Sequence, residues 1–105
     1  DTPNLYIDTT TNNDLIPGII GDIYNTCVFP NPVNDYVNIE FSSIKTQQVY
    51  FELYNISGEM ILLEEFNTLN GRNRFFIDIS KQKSGVYLYR LLTNGSAVSG
   101  KVIKN

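Results

Sequence analysis

The sequence predicts an all-β domain, a seven-stranded antiparallel β-sandwich with an immunoglobulin-like layout, over residues 27–105. Apolar and polar residues alternate with period two in several short runs, and turn residues separate these runs every ~8–12 positions. No stretch shows the 3.6-residue period of an amphipathic helix. A parallel sheet is not expected, because the chain offers no helical crossover between strands.

The first strand is expected at residues 27–30, and three later strands show the clearest alternation. Their apolar members share one face of each strand, and we expect these faces to form the core. The expected core residues are Val37, Ile39, Phe41, Val49, Phe51, Leu53, Phe75, Ile77 and Ile79. A continuous apolar run after the Ser57-Gly58 turn, residues 60–63, predicts the fourth strand.

Two Asn-Gly pairs predict tight hairpins, since both residue types tolerate the positive φ of a type I′ turn. Asn70-Gly71 is expected to join the fourth strand to the fifth. Asn94-Gly95 is expected to join the sixth strand to the last one, residues 97–104.

Tyr87 is predicted to be a fold determinant. It follows Ser84-Gly85 near the start of the sixth strand, residues 86–93. This position matches a tyrosine corner, in which the hydroxyl binds backbone a few residues upstream. We therefore expect a structural role for Tyr87 and not a catalytic one.

Residues 1–26 differ in composition from the rest of the chain. They contain four Asp and no Lys or Arg, whereas residues 27–105 contain 8 basic and 7 acidic side chains. Thr, Asn, Gly and Pro are frequent in this segment, which is typical of a linker. We expect an acidic tether with at most one short strand.

The composition excludes most catalytic machinery. The chain has no His and a single Cys, so His-dependent triads, His-bearing zinc sites and internal disulfides are excluded. The net charge of -3 argues against nucleic acid as a partner. No run approaches the ~20 apolar residues of a transmembrane segment. We expect a protein that is not an enzyme and has no cofactor or metal site.

Four aromatic side chains fall on the expected polar faces of the strands: Tyr36, Tyr50, Tyr54 and Phe76. Exposed aromatic rings on a sandwich face can stack on sugar rings, so these residues are candidates for carbohydrate binding. The pattern favours a simpler interpretation, in which they form cross-strand pairs or are covered by residues 1–26.

Four short motifs follow one another: an aromatic residue with Pro-Asn-Pro, then Ser-Gly-Glu, then Ser-Gly-Val-Tyr, then an Asn-Gly turn with Lys-Val-Ile-Lys. Their main residues are Pro30, Asn31, Pro32, Gly58, Gly85, Tyr87, Gly95, Lys101, Val102, Ile103 and Lys104. In this order and spacing they resemble the C-terminal sorting domain of the type IX secretion system of Bacteroidota, over residues 27–105. The chain departs from the usual family pattern at Asn55, at Lys81-Gln82-Lys83 and at Gly100. The family there commonly has Asp, Asn-Leu-Pro and a basic residue, respectively.

The resemblance implies a non-catalytic secretion signal that directs a cargo protein across the outer membrane. Its partners would be the outer-membrane translocon, a shuttle barrel and a cell-surface sortase that removes the domain. The cargo would cross the periplasm and reach the cell surface or the medium, and residues 1–26 would hold the linker or the end of the cargo. A partner that reads the last strand would do so through its edge and the terminal carboxylate.

Two alternatives remain open from the residues alone. One is a carbohydrate-binding or adhesion sandwich that uses the four exposed aromatic side chains. The other is a small free-standing secreted protein with an immunoglobulin-like fold.

Overall fold

The structure is a computed structural model that describes residues 22–105. This part of the chain contains seven strands and no helix, which confirms the all-β prediction. The strands are β1 (Ile23–Phe29), β2 (Tyr36–Ser43), β3 (Gln48–Tyr54), β4 (Met60–Asn67), β5 (Gly71–Asp78), β6 (Gly85–Leu92) and β7 (Ala97–Lys104). The expectations for residues 1–21 lie outside the described residues.

The strands form two sheets of a β-sandwich. The smaller sheet has the order β1-β2-β5 and the larger one β4-β3-β6-β7, with every neighbouring pair antiparallel. The core lies between the sheets and draws apolar side chains from both of them. This is the immunoglobulin-like layout expected from the turn spacing.

The alternation correctly identified the core of β2, β3 and β5. Eight of the nine expected residues are at most 2% exposed. The ninth, Phe75, is partly buried and packs at the margin of the core, where its ring stacks on Phe66 with the centroids 4.2 Å apart. Complete burial of one large apolar side chain contributes ~1.5–3 kcal/mol, so these eight residues supply a large part of the driving force of the sandwich.

The first strand begins earlier than the expected start at residue 27. Ile23 opens β1 and is 2% exposed in the core. The alternation is hidden in the sequence because the β1–β2 register shifts between Tyr24 and Cys27, and Asn25 has a φ of 52°. Such a bulge breaks the period-two pattern. Residues 23–26 therefore belong to the sandwich and not to the acidic segment.

The predicted hairpin at Asn70-Gly71 is wrong. β4 and β5 lie in different sheets, so this pair belongs to a crossover between the two layers. Asn73 holds the crossover: its Oδ1 accepts from the Leu69 N–H and its Nδ2 donates to the Leu69 carbonyl, both at 2.9 Å. An Asn-Gly pair indicates a change of chain direction, but it does not specify the partner of the strand that follows. Here β5 pairs with β2 of the smaller sheet and not with β4.

The second Asn-Gly pair does form a hairpin, as predicted. It joins β6 to β7, and the Thr93 N–H donates to the Ser96 carbonyl at 2.9 Å. Neither Asn94 nor Gly95 has a positive φ, so the turn is not of type I′.

Candidate recognition site

The last strand, β7, lies at the edge of the larger sheet. One of its sides pairs with β6 along the whole of Ala97–Lys104. In an antiparallel strand, alternate residues direct their N–H and C=O groups to opposite sides. The backbone groups of Lys101 and Ile103 point away from β6, where an unprotected edge would invite pairing with another chain.

The side chain of Asn31 occupies this edge. Its Nδ2 donates to the Lys101 carbonyl at 3.0 Å, and its Oδ1 accepts from the Ile103 N–H at 2.9 Å. The amide group of one side chain therefore replaces the peptide group that a neighbouring strand would supply.

Val33 extends the same contact towards the end of the strand. Its N–H donates to the Ile103 carbonyl at 2.8 Å, and its carbonyl accepts from the Asn105 N–H at 2.9 Å. We call Asn31 and Val33 together the Asn31 clasp. Pro30 and Pro32 flank Asn31, and each follows a cis peptide bond. Neither proline has a backbone N–H, so neither position needs a hydrogen-bond acceptor. The clasp closes the edge of β7 from residue 101 to 105, which makes this part of the edge a poor target for an added strand.

The four residues of the C-terminal motif divide between core and surface. Val102 is 0% exposed and fills the core, so its role is in the fold. The side chain of Ile103 is 37% exposed and that of Lys101 is also exposed, while Lys104 is partly buried. The accessible part of the motif is thus the outward row of Lys101 and Ile103.

Gly58 lies in the turn between β3 and β4, with a φ of 90°. The turn is organised by Asn55, whose Oδ1 accepts from the N–H groups of Ser57 and Glu59, both at 3.0 Å. The Asn55 Nδ2 also donates to the Glu59 carboxylate at 2.7 Å. An Asp at this position would keep the two acceptor contacts but would set a second carboxylate beside Glu59, which explains why Asn suits this chain.

The Tyr87 hydroxyl donates to the Lys83 carbonyl at 2.6 Å, and the residue is 6% exposed. This is the tyrosine corner expected from the sequence. Gly85 comes just before it with a φ of 149°, a conformation that favours glycine. Both motif residues hold the loop that leads into β6.

Two further glycines allow close approaches. A Cβ on Gly95 would lie 3.4 Å from Oδ2 of Asp22, and one on Gly100 would lie 2.6 Å from the hydroxyl oxygen of Tyr89. The Tyr89 ring covers Gly100 and stacks on Phe51 with the centroids 5.9 Å apart. Because the ring fills the space a side chain would need, any larger residue at position 100 requires the Tyr89 ring to move. The sequence carries no local signal for this contact.

The four candidate sugar-stacking residues do not form one platform. Tyr36 and Phe76 lie on neighbouring strands of the smaller sheet and are 57% and 62% exposed. Tyr50 and Tyr54 lie on the larger sheet, and their hydroxyls donate to side chains two residues earlier on β3, at 2.9 and 2.7 Å. The Glu52 carboxylate that accepts from Tyr54 is the main cause of the raised pKa of that hydroxyl.

Residues 22–105 contain no group of three His, Cys, Asp or Glu side chains placed to hold a metal ion. Within the same range no helix has the length and apolar character needed to cross a membrane.

The comparison with protein families identifies the domain. A model of the family described as "Secretion system C-terminal sorting domain" matches residues 27–105. The chain belongs to this family. The type IX sorting function expected from the motifs is therefore confirmed: domains of this family are non-catalytic C-terminal sorting signals, which implies an interaction with the secretion system and secretion to the cell surface or beyond.

A solved structure supports the fold of the sorting domain. The crystal structure of dimeric latent PorU from Porphyromonas gingivalis matches with a TM-score of 0.64 and 21% sequence identity. The match covers 87% of this chain and 10% of the PorU chain. At this identity the likeness shows the fold alone. Comparison with curated proteins gives no match.

Proposed function

We propose that the sorting domain is the address label of a longer exported protein. In this proposal the cargo crosses the periplasm, and the outer-membrane translocon and a shuttle barrel recognise the folded domain. A cell-surface sortase then removes the domain by cutting within the acidic segment, residues 1–21. The domain itself carries out no reaction.

The observation that supports this recognition mode best is the Asn31 clasp. It fixes the end of β7 to the first loop. Asn31 and Val33 together form four hydrogen bonds with backbone groups of residues 101–105. The outward side chains of Lys101 and Ile103 are thereby held at a defined position. We infer that the machinery reads this side-chain row, and not the backbone edge, which the clasp already occupies.

The test is a fusion of a periplasmic reporter to the complete 105-residue chain. In a Bacteroidota cell with an intact type IX system, the reporter should reach the cell surface or the medium. Lys101→Ala should leave it in the periplasm, because the outward amine is lost while Val102 keeps its place in the core. Lys45→Ala, a matched lysine that forms a salt bridge with Asp22, should be exported normally.

Two results would contradict the proposal. The first is an intact fusion that stays in the periplasm while an established sorting domain in the same vector is exported. The second is normal export of the Lys101→Ala fusion, which would remove the side-chain row from the recognition mechanism. Thermal unfolding of each variant shows whether a loss of export reflects a loss of fold.

The exposed pair Tyr36 and Phe76 supports a second, lesser candidate, a carbohydrate-binding surface on the smaller sheet. Neighbouring exposed apolar side chains mark an interaction site more often than single ones do. Titration with cellohexaose and mannohexaose, followed by tyrosine fluorescence, tests it. Binding that disappears in Tyr36→Ala would support the candidate, and no binding of either sugar would count against it.

A further inference from the structure

The basic side chains of the described residues fall into two groups. Four of them form salt bridges with carboxylates on the sheets or at the Asp22 end: Lys45, Arg72, Arg74 and Arg90. The other four form none with residues 22–105: Lys81, Lys83, Lys101 and Lys104. Three of this second group lie at one end of the sandwich, since Lys81 and Lys83 precede β6 and Lys104 pairs with Gly85.

A groove of about 440 Å³ opens at this same end. It lies between the β3–β4 turn and the loop that precedes β6, and Lys81 and Lys83 stand at its rim. Ile56, Ile61 and Val86 give it apolar walls, and Ile56 is 79% exposed. The groove therefore combines accessible apolar surface with two positive charges.

Both walls of the groove are held in place. On one side the Tyr87 hydroxyl binds the Lys83 carbonyl, and the Gln82 N–H donates to the Ile79 carbonyl at 3.0 Å. On the other side the Asn55 side chain organises the turn that carries Ile56. A groove with fixed walls loses little entropy when it binds a ligand.

No carboxylate of residues 22–105 lines the groove. Two carboxylates lie close to its lining residues in the sequence, and both accept hydrogen bonds: Glu59 from Asn55, and Asp78 from the Ser80 N–H at 2.9 Å. The hydrogen bonds from Ser80, with a smaller effect of Lys81, hold the pKa of Asp78 below its ordinary value. Lys81 thus acts partly on Asp78, whereas Lys83 forms no salt bridge with residues 22–105 and its charge faces the groove without a carboxylate partner there.

We propose that this groove binds an extended acidic peptide segment of a partner protein, with an apolar side chain seated between Ile56 and Val86. Carboxylates on either side of that side chain would face Lys81 and Lys83. The inference rests on the proposed function only for the identity of the partner, a component of the export machinery. It adds a second contact surface to the row of Lys101 and Ile103.

The concave shape favours a peptide over a membrane surface. A peripheral domain that binds anionic lipid typically lays an amphipathic helix in the interface, with its apolar face in the headgroup layer and Lys or Arg on its polar face. Here the apolar side chains line a groove, and the lysines stand at its rim, which suits a side chain flanked by carboxylates.

The probe is the capped peptide Asp-Leu-Asp-Asp-Leu-Asp, titrated into the complete chain and followed by amide chemical shifts. The largest shifts are expected at Ile56, Lys83 and Val86. The double variant Lys81→Gln/Lys83→Gln should weaken binding about tenfold, since two exposed ion pairs are lost. The control Lys45→Gln/Arg72→Gln removes the same charge elsewhere and should bind within about twofold of the original chain.

Three outcomes would overturn the inference. They are equal binding by the Lys81→Gln/Lys83→Gln variant, equal binding of a peptide with Asn at every Asp position, and binding to phosphatidylglycerol vesicles without binding to the peptide. The titration does not depend on export. A chain that binds the peptide but fails to export its reporter refutes the sorting proposal alone. Normal export by Lys81→Gln/Lys83→Gln refutes the assignment of the partner to the machinery.

Discussion

The Asn31 side chain accepts a hydrogen bond from the Ile103 N–H at 2.9 Å, although the two residues are 72 positions apart in the chain. With the second bond, to the Lys101 carbonyl, it ties the first loop of the sandwich to the last strand. The Pro-Asn-Pro motif of the family thus has a structural explanation in this chain: it closes the edge of β7.

Asn31→Ala should open this edge. The change removes both side-chain bonds and leaves two backbone groups of β7 without their partner. We expect the free energy of unfolding to fall by ~1–2 kcal/mol and amide exchange at Ile103 to accelerate. Asn34→Ala, which removes only a side-chain contact to Asn105, serves as the control. Unchanged exchange at Ile103 in Asn31→Ala would contradict the clasp.

Tyr87→Phe should lower the free energy of unfolding by ~1 kcal/mol, because it removes a buried bond to the Lys83 carbonyl. Denaturant unfolding followed by circular dichroism measures the effect. Tyr50→Phe removes a hydroxyl that binds the Gln48 side chain at the surface and should change stability little. If the two variants lose the same free energy of unfolding, the tyrosine corner stabilises the domain no more than a surface hydroxyl does.

Gly100→Ala should destabilise the domain by ~1–3 kcal/mol, since the new methyl group would meet the Tyr89 ring. The double variant Tyr89→Leu/Gly100→Ala should be less destabilised than the sum of its two single changes, because the clash is absent once the ring is removed. Thermal unfolding of the three variants completes the cycle, with Ser99→Ala as the neighbouring control. Additive effects would show that the ring moves aside at no cost.

Glu40 should make stability depend on pH in the acidic range. Its carboxylate accepts hydrogen bonds from Arg74, the main cause, and from Arg72, and these hold its pKa below the ordinary value of 4.5 although desolvation opposes them. A carboxyl with a lowered pKa in the folded state stabilises the fold above its unfolded pKa. That contribution is lost as the pH falls through the folded value.

The measurement is the denaturation midpoint of the original chain and of Glu40→Gln against pH. The original chain should be the more stable at neutral pH, and the difference should shrink as the pH falls below 4.5. Glu59→Gln provides a control, since its partner is the neutral Asn55 side chain. A difference that stays constant with pH would contradict the role of the two arginines.

Local patterns in the sequence predicted the parts of the fold that depend on neighbouring residues. The alternation of Val37, Ile39 and Phe41 was sufficient to place their strand and its inner face. The pattern failed where an irregular backbone interrupts it, at Asn25, and where a turn signal does not specify the pairing, at Asn70-Gly71.

The candidate recognition site was harder to predict, because it depends on contacts between residues that are distant in the chain. Motif resemblance named Asn31 and Ile103 as candidate residues, but no local rule joins residues so distant in the chain. The contact of Tyr89 with Gly100 depends on strand register, which a single sequence does not specify. Several motif residues proved to have roles in the fold, and this reduces the accessible part of the C-terminal motif to Lys101 and Ile103.

The Asn31 clasp also sets an order of events during synthesis. The loop that carries Asn31 is made early, whereas its partner Ile103 is made 72 residues later. A growing chain cannot complete the clasp until residues 101–105 are available, and contacts of such high sequence separation slow folding. The sorting domain thus reaches its finished form only after β7 has been synthesised, so a chain that stops before β7 would present no completed signal.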